Sequence, residues 1–323
     1  MMEKLTTSVV LLAVLSWAAG CAESRTAAPG SPTQQDADVK ESLKAAARRE
    51  LAVALVDRDS LLRMHAVEAV KDALGTAGQN QILLALNDSQ PPVRFAATMA
   101  AGELRLQEAM PALRRMLVQD NDPHIQLAVI FAMHRLGDVR HSAGLEQAIR
   151  SPDPEVRADT ALALGRLAEK TAVRILRPVL KDPAVATRLQ AAEALWRLGD
   201  EEGLKYLVAA ALSGHPAQKM FALLALAGPR NHAVIEHVRA GLDSEYLEVS
   251  LVAARSLGML GSDEAYTLAA NTTRSAEWRQ RHLAAMALGA IGRPDAQDLL
   301  APLLKDPEGD VRLAAAAAIL QLR

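Results

Sequence analysis

The chain has 323 residues, of which half are apolar and only 3% are aromatic, and its formal net charge is −2. Strands of β-sandwiches and barrels favour aromatic and β-branched side chains, so this composition excludes such folds and favours closely packed helices. The near-neutral charge offers no basic field that would attract a phosphate backbone. We therefore expect an all-α protein that does not bind nucleic acid.

The first predicted element is an apolar segment at the amino terminus. Lys4 precedes an apolar run over residues 5–15, and small residues then lead to Cys21. The run is too short to span a bilayer and has the pattern of a signal peptide, so residues 1–20 are predicted to be removed on export. The final Ala-Gly-Cys of this segment resembles the lipobox of bacterial lipoproteins, which implies a lipid on Cys21.

Cys21 is the only cysteine, so it cannot form an internal disulfide, and a lipid would account for an unpaired thiol in an exported protein. The resemblance implies membrane anchoring in a bacterial cell envelope. Ala22 stands where inner-membrane lipoproteins usually carry Asp, which favours the outer membrane over the inner. The alternative is ordinary signal cleavage, which would leave a soluble periplasmic or secreted protein. Residues 21–40 are polar, lack apolar periodicity and are predicted to form a flexible tether.

Residues 41–323 repeat a motif of the form V-R-x-x-A-A-x-A-L-x-x-L. Its arginine-type position recurs at intervals of 31 or 32 residues, at Arg63, Arg94, Gln126, Arg157, Arg188, Lys219, Ser250, Arg281 and Arg312. Each unit shows two helical patterns separated by a short polar turn. Because one pair of helices cannot bury its apolar face alone, we expect the nine units to stack into one α-solenoid.

Turn residues mark the ends of the second helix in each unit. Proline stands three residues before the arginine-type position, where a missing N–H has no cost, at Pro91, Pro123, Pro154 and Pro216. Asp122 and Asp153 precede two of these prolines and are predicted N-caps. Glycines in the left-handed conformation are predicted to end the helix at Gly75, Gly137, Gly199, Gly261 and Gly292. Gly228-Pro229 is predicted to shorten the sixth unit's second helix by about one turn and to bend the stack, with a functional hinge as the alternative.

The repeat resembles the HEAT family, most closely the short variety first noted in phycobilisome lyases, and the stretch over residues 151–157, Ser-Pro-Asp-Pro-Glu-Val-Arg, is near the family consensus. The resemblance implies a hydrogen-bonded ladder between repeats, built from an Asp and an Arg six residues apart. Four such pairs are present, namely Asp57 with Arg63, Asp88 with Arg94, Asp182 with Arg188 and Asp306 with Arg312. The pair is degraded in other units, so we expect the ladder to be interrupted over residues 213–250.

The motifs of common enzyme classes are missing from the sequence, which has no phosphate-binding glycine loop, no G-x-S-x-G and no H-E-x-x-H. The eight histidines are scattered over different repeats, so neither a metal nor another cofactor is expected. Carboxylates on second helices, such as Asp159 and Glu193, have no evident partner and are expected to be solvated. The chain is therefore predicted not to be an enzyme.

Second helices of such solenoids usually line the concave side, and the helical wheel turns positions one, five and eight after the arginine-type residue towards the groove. A candidate partner-binding stripe of apolar residues at these positions consists of Phe95, Met99, Leu127, Phe131, Leu162, Trp196, Met220, Leu224 and Met286. Contiguous exposed apolar surface commonly marks an interaction site. The alternative is that superhelical curvature buries these side chains as core.

These features predict a non-enzymatic, membrane-tethered scaffold that binds a protein or peptide in its concave groove. A second hypothesis is a structural subunit that self-associates end to end, because the Ala-rich helix over residues 313–322 offers an end face with no polar cap. A third hypothesis, a regulatory or accessory subunit of a cell-envelope or tetrapyrrole enzyme, rests on the family resemblance alone.

Overall fold

The computed structural model describes residues 34–322, apart from the side chains at positions 34–37, and this range contains helices and turns but no β-strand. The second helices of the nine repeats are α2 (Ser60–Leu74), α4 (Pro91–Glu103), α6 (Pro123–Arg135), α8 (Pro154–Leu167), α10 (Val185–Arg197), α12 (Pro216–Ala227), α14 (Leu247–Met259), α16 (Trp278–Ile291) and α18 (Gly309–Gln321). The first helices are α1 (Gln34–Ala54), α3 (Gln79–Ala85), α5 (Met110–Gln119), α7 (Ala143–Ala148), α9 (Val173–Leu176), α11 (Glu201–Ala211), α13 (Ile235–Arg239), α15 (Tyr266–Thr272) and α17 (Gln297–Leu300). The predicted all-α solenoid of nine two-helix repeats is confirmed.

The amino-terminal predictions are only partly covered by the structure. The predicted signal peptide over residues 1–20 and the lipid site at Cys21 lie outside the described residues. The predicted tether over residues 21–40 differs from the structure in its second half, because α1 already begins at Gln34. No helix in the described part of the chain is long and apolar enough to cross a membrane.

The signals that start and end the second helices act as expected. Each of the four prolines is the first residue of its helix, and the carboxylates of Asp122 and Asp153 accept hydrogen bonds from the backbone N–H two residues later. The predicted C-terminal glycines have positive φ, as in Gly199 at 81°. The predicted shortening by about one turn at Gly228-Pro229 is wrong, because α12 ends only one residue earlier in its repeat than α10 and α14 do. The bend and the hinge remain predictions.

The solenoid closes on itself into a ring. Each second helix packs against the second helix of the next repeat, and the last one, α18, packs against α1 and α2 of the first repeat. At this seam Nε of Arg312 donates to Oε1 of Glu50 over 2.7 Å, and Nδ1 of His65 lies 2.9 Å from Oδ1 of Asp310. The uncovered end face predicted for residues 313–322 is therefore wrong, since the first repeat covers it and removes the basis for end-to-end association.

The seam has the register of an internal joint. At the seam, Asp310 contacts His65. Asp310 lies two positions before the arginine-type residue of the ninth repeat, and His65 lies two positions after the arginine-type residue of the first repeat. His124 and Asp159 occupy the same two positions at the joint between the third and fourth repeats, where Nδ1 lies 2.6 Å from Oδ2. Closure of the ring therefore continues the stacking geometry of the solenoid.

Glycines inside four of the second helices allow close approach between neighbouring helices. Four of them lie eight residues after the arginine-type residue, at Gly102, Gly165, Gly258 and Gly289. A Cβ at Gly165, for example, would lie 2.7 Å from Cα of Ala194 on the next second helix. At these four joints the helix backbones thus approach each other closely on the inner side of the stack. We infer that these close approaches contribute to the curvature of the ring.

An arginine ladder crosses several joints. Arg63 donates through Nε and Nη2 to the carboxylate of Asp88 in the next repeat, and through Nη1 to the backbone carbonyl of Asp57 in its own. The same bond to the following repeat recurs between Arg94 and Asp120, between Arg157 and Asp182, and between Arg281 and Asp306. Each arginine of the ladder therefore fixes the turn of its own repeat and holds the next repeat in place.

The ladder has gaps, and the seam completes it. Gln126 donates only to backbone carbonyls, and Arg188 donates to Oη of Tyr206 because Ser213 stands where an aspartate would be needed. Ser250 donates to the carbonyl of Leu242 and makes no bond to the next repeat. Arg312 of the ninth repeat donates to Glu50 of α1, which supplies the carboxylate at the seam. The first helix of the chain thus serves as the partner of the last repeat.

Candidate functional site at the ring axis

Charged side chains meet inside the ring, at the end formed by the carboxyl ends of the second helices. Position nine after the arginine-type residue is charged in the first five repeats, at Asp72, Glu103, Arg135, Arg166 and Arg197. The same position is uncharged in the other four repeats, at Gly228, Met259, Ala290 and Gln321. At this position the ring is therefore asymmetric, with charged residues in five consecutive repeats and uncharged residues in the other four. Arg255 of the seventh repeat still brings a positive charge near Asp72 and Glu68.

Glu103 connects three repeats across the axis. Its Oε2 accepts a hydrogen bond from Nζ of Lys71 over 3.0 Å, and its Oε1 accepts one from Nη1 of Arg166 over 3.2 Å. These partners belong to the first and fourth repeats, so the contacts bypass the third repeat. Burial alone would raise the pKa of Glu103, but the charges of Lys71 and Arg166 lower it to about 2. Glu103 is therefore a permanent anion that holds two cations at the axis.

The fifth repeat extends this network. Glu193 is only 1% exposed and accepts hydrogen bonds from Arg197 over 2.9 Å and from Gln190 over 3.1 Å. A Cβ at position 228 would lie 2.7 Å from Nη2 of Arg197, so Gly228 leaves the space that this guanidinium occupies. The expectation that Glu193 is solvated is wrong. It is also wrong for Asp159, which pairs with His124.

Glu68 has a buried carboxyl oxygen, Oε2, without a hydrogen-bond partner among the described residues. Burial raises the pKa of Glu68 to about 7, against the lowering effect of the charges on Lys71 and His65. A carboxyl group that is half ionised at neutral pH changes its charge when a ligand alters its surroundings, which is typical of functional sites.

A cavity of about 260 Å³ reaches this charged floor from the opposite end of the ring. Its mouth is formed by first turns of the second helices, where Pro92, Glu155 and Ala186 are exposed. Its deep end reaches Lys71 and Arg166, close to the carboxyl ends of α2 and α8. The walls between mouth and floor are mainly apolar and consist of Met64, Phe95, Met99, Leu162, Leu189 and Phe221. The cavity therefore leads from a polar mouth past apolar walls to an ionic floor.

The predicted partner-binding stripe lies inside the ring and not on an open groove. Five of its residues are buried, namely Met99, Leu127, Phe131, Trp196 and Leu224. Four are half-buried, namely Phe95, Leu162, Met220 and Met286. The prediction of an exposed stripe is wrong, because ring closure presses these positions of neighbouring second helices against one another. Part of the stripe still borders empty space, since Phe95, Met99 and Leu162 line the cavity.

The ions at the axis were not predicted, although the sequence carries a signal for them. Arg135, Arg166 and Arg197 follow one another at intervals of 31 residues, so they occupy one position in three consecutive repeats. A charge that recurs at a fixed place near a helix end indicates a shared environment. Within residues 34–322, no group of three or more His, Cys, Asp or Glu side chains is placed to hold a metal ion.

Comparison with known proteins supports the assignment of the repeat. The family described as HEAT repeats matches residues 80–149, 142–227 and 267–323. No curated protein matches the chain. The complex of CpcE and CpcF of phycocyanin lyase from Nostoc sp. PCC7120 is 20% identical with a TM-score of 0.44, and the match covers 77% of this chain and 97% of that one. Human deoxyhypusine hydroxylase is 20% identical with a TM-score of 0.38, and the match covers 89% of this chain and 98% of that one.

The family match and the likeness to solved structures support different conclusions. At these identities and TM-scores, the likeness to solved structures says nothing about binding or activity. The family match covers more than half of the chain and falls on repeats that the structure shows to be pairs of helices. The chain belongs to the HEAT-repeat family.

Proposed function

We propose that this protein is a non-enzymatic binding scaffold whose binding site is the cavity at the ring axis. The proposal rests on one observation: side chains from six of the nine repeats line this one cavity. HEAT solenoids usually bind partners along an extended concave surface. Ring closure buries or half-buries the predicted stripe, so the cavity is where the inner faces of the second helices can meet a partner.

The size of the cavity limits what part of a partner enters it. Pockets for drug-sized molecules usually measure about 300–1,000 Å³. The cavity of about 260 Å³ lies below that range. It fits one large side chain or the end of a chain, while the rest of the partner would contact the exposed residues around the mouth. We therefore expect a protein or peptide that inserts a single anchor into the ring.

Site-specific photo-crosslinking tests this site. Benzoylphenylalanine in place of Phe95 puts the reactive group at the cavity wall, and the same residue in place of Val118 puts it on the exposed face of α5. We expect a partner crosslink at position 95 but not at position 118. The additional change Leu162→Trp should remove the crosslink, because an indole fills the cavity. Equal crosslinking at both positions, or no effect of Leu162→Trp, would exclude the cavity as the binding site.

We further propose that the protein is exported and held by a lipid on Cys21 in a bacterial cell envelope. The proposal is supported by the Ala-Gly-Cys junction and by the absence of any second cysteine in the sequence. Cys21→Ser should move the protein from the membrane fraction to the soluble fraction of the expressing bacterium. Mass spectrometry of the mature amino terminus provides the direct check. A wild-type protein without lipid, or a variant that stays on the membrane, would refute the anchor.

A further inference from the structure

We propose that the axial cavity binds an alkylammonium group, an aliphatic stem that ends in a protonated amine. The inference rests on the proposed function and adds the chemistry of the anchor that enters the ring. Two sources carry this chemistry, namely a lysine side chain of a partner protein and a free aliphatic amine. An excess of carboxyl groups, a buried carboxyl oxygen without a hydrogen-bond partner among the described residues, and apolar walls each point to such a ligand.

The cavity lining carries more acids than bases. It has five carboxyl groups, on Glu68, Glu103, Asp122, Glu155 and Asp159. It has two bases that are charged at neutral pH, on Lys71 and Arg166. The formal charge of the lining is 2 − 5 = −3 with His124 neutral, and protonation of His124 still leaves it at −2. A cation that approaches the mouth is therefore attracted, and an anion of the same shape is repelled.

The two bases at the floor do not cancel this attraction, because both already have carboxylate partners. Lys71 and Arg166 both donate to Glu103, and Nζ of Lys71 also lies 3.3 Å from Oδ1 of Asp72. The floor thus has Lys71 and Arg166 against Glu103 and Asp72, and Arg255 of α14 adds a third cation near Asp72 and Glu68. Glu68 and, near the mouth, Asp122 and Glu155 remain to interact with an entering charge, because Asp159 already pairs with His124.

Glu68 is placed to receive the ammonium group. It lies on α2 between Met64, at the apolar wall, and Lys71, at the floor, and all three residues line the cavity. Its Oε2 accepts no hydrogen bond from any described residue. Oε2 is already buried in the free protein although the side chain as a whole is only half-buried, so a cation that binds beside this oxygen gains a charge-assisted hydrogen bond at a reduced cost of desolvation.

The walls suit the aliphatic stem of the ligand. Met64, Met99 and Leu162 provide flexible aliphatic surface, and Met adapts easily to the shape of a guest. Phe95 and Phe221 add aromatic rings, whose faces attract cations. An uncharged alkyl chain would contact only the walls. A ligand with an ammonium group should therefore bind more tightly than an uncharged ligand with the same stem.

Binding should depend on pH through the charge of Glu68. The charged groups that surround its carboxyl are His65, Lys71 and Asp72 on α2, Glu103 on α4, Arg255 on α14, and Asp310 on α18, which pairs with His65. With a pKa of about 7, Glu68 is about nine-tenths ionised at pH 8 and about one-tenth ionised at pH 6. Since the ionised form is the one that binds, alkylammonium affinity should be about tenfold lower at pH 6 than at pH 8. Protonation of His124 at the mouth acts in the same direction.

The first test uses three probes with the same six-carbon stem, namely hexylamine, hexanoate and 1-hexanol. Carbon-13 methyl signals of Met64 and Met99 report from the cavity, and that of Met116 on α5 serves as the reference. At pH 8 we expect hexylamine to shift the two cavity signals and to bind at least about tenfold more tightly than the other probes. Hexanoate or hexanol binding as tightly as hexylamine, or no response to hexylamine, would overturn the proposal.

The second test replaces the receiving carboxyl group by an amide of the same shape. Glu68→Gln should weaken hexylamine binding about tenfold at pH 8 and remove most of its pH dependence, leaving the part due to His124. Glu108→Gln, at an exposed site outside the cavity, is the matched control and should change neither. A melting temperature no lower than that of the wild type shows that Glu68→Gln remains folded. Unchanged affinity in that folded variant would contradict the role of Glu68.

A third measurement distinguishes a partner lysine from a free amine as the ligand. It also distinguishes failure of the alkylammonium proposal from failure of the proposed binding function. A short peptide with one lysine, compared with the same peptide carrying norleucine, tests a protein side chain as the anchor. If the lysine peptide competes with hexylamine and the norleucine peptide does not, the ligand is a partner lysine. If hexylamine binds and neither peptide competes with it, the ligand is a free amine. If hexylamine fails while the crosslink at position 95 persists, the cavity is the binding site but the ammonium chemistry is wrong. If both fail, the proposed function fails as well.

Discussion

The seam of the ring and the internal joints use the same contacts but differ in what holds them together. A continuous chain links the third repeat to the fourth, whereas only non-covalent contacts link the ninth to the first. Both places pair a histidine with an aspartate, and the seam adds the bond from Arg312 to Glu50. Damage to an internal joint should therefore destabilise the repeats on both sides, while damage to the seam should open the ring and leave the repeats folded.

The largest loss of stability is expected from a substitution inside an internal joint. Phe131 is fully buried and packs where α6 meets Gly102 of α4. Phe131→Ala should lower the free energy of unfolding by about 3–5 kcal/mol, because it removes a large buried side chain and leaves a cavity. Urea denaturation followed by circular dichroism measures the loss. Leu84→Ala, on the exposed face of α3, should change the stability by less than about 0.5 kcal/mol, and equal losses in the two variants would contradict the described packing.

A substitution at an internal joint should also reach the seam if close helix contacts cause the curvature. In Gly165→Ala the new Cβ would meet the backbone of Ala194, and overpacking of this kind costs about 1–3 kcal/mol. The widened inner side should reduce the curvature and increase the radius of gyration in small-angle X-ray scattering. Gly214→Ala has free space around the added carbon and should change neither quantity. An unchanged radius in a folded Gly165→Ala protein would refute this cause of curvature.

The arginine ladder allows a matched comparison of the two kinds of joint. Arg312 at the seam and Arg157 at an internal joint each bond one carboxylate and two backbone carbonyls. Arg312→Met and Arg157→Met should each cost about 1–2 kcal/mol, since charged hydrogen bonds are lost at partly exposed sites. Only Arg312→Met should speed hydrogen exchange in both α1 and α18. The same exchange pattern in both variants would show that the seam is no weaker than an internal joint.

The smallest expected effect is a pH dependence of the seam. Burial would lower the pKa of His65, but the hydrogen bond and the charge of Asp310 raise it above its usual value. A raised histidine pKa stabilises the closed ring at pH values below about 6.5, and this contribution disappears as the pH rises through the folded-state pKa. For a half-exposed pair we expect a loss of about 0.2–1 kcal/mol between pH 6 and pH 8.

Hydrogen exchange in α18, corrected for the intrinsic rate at each pH, measures this contribution. Protection should fall from pH 6 to pH 8 in the wild type and should fall less in His65→Asn. His282 contributes in the opposite direction, since burial lowers its pKa, and it is the same in both proteins. His124→Asn removes the equivalent pair at an internal joint and should leave the exchange of α18 unchanged. A similar pH response in His65→Asn and in the wild type would contradict the assignment.

Local features of the fold were predictable because they depend on residues close in sequence. The proline at position 154 starts α8, Asp153 caps it, and the 31-residue period places each second helix. Closure of the ring was not predictable, because it depends on the small angle at every joint, and a repeat period contains no information about that angle. The glycine eight residues after the arginine-type position, as in Gly165, is a sequence signal for it, since an interior helix glycine usually has a packing reason.

The candidate site was predicted less well than the fold for the same reason. Its apolar walls were identified in part, through Phe95, Met99 and Leu162, because the helical wheel correctly assigned these positions to the inner side. Their burial depends on closure, as does the contact of Glu103 with Arg166, which bypasses the third repeat. Side chains on the inner side can meet one or several repeats away, so the repeat period alone does not identify which of them form a contact.

Closure also changes how the protein should unfold. An open stack of nine repeats has eight interfaces and two terminal repeats that can fray, whereas this ring has nine interfaces, one for every repeat. Releasing any repeat from the ring breaks two interfaces at once, while a terminal repeat of an open stack leaves by breaking one. With nearest-neighbour stability terms, the ring should therefore lose its structure in a more cooperative transition and resist the stepwise proteolysis that starts at a loose end.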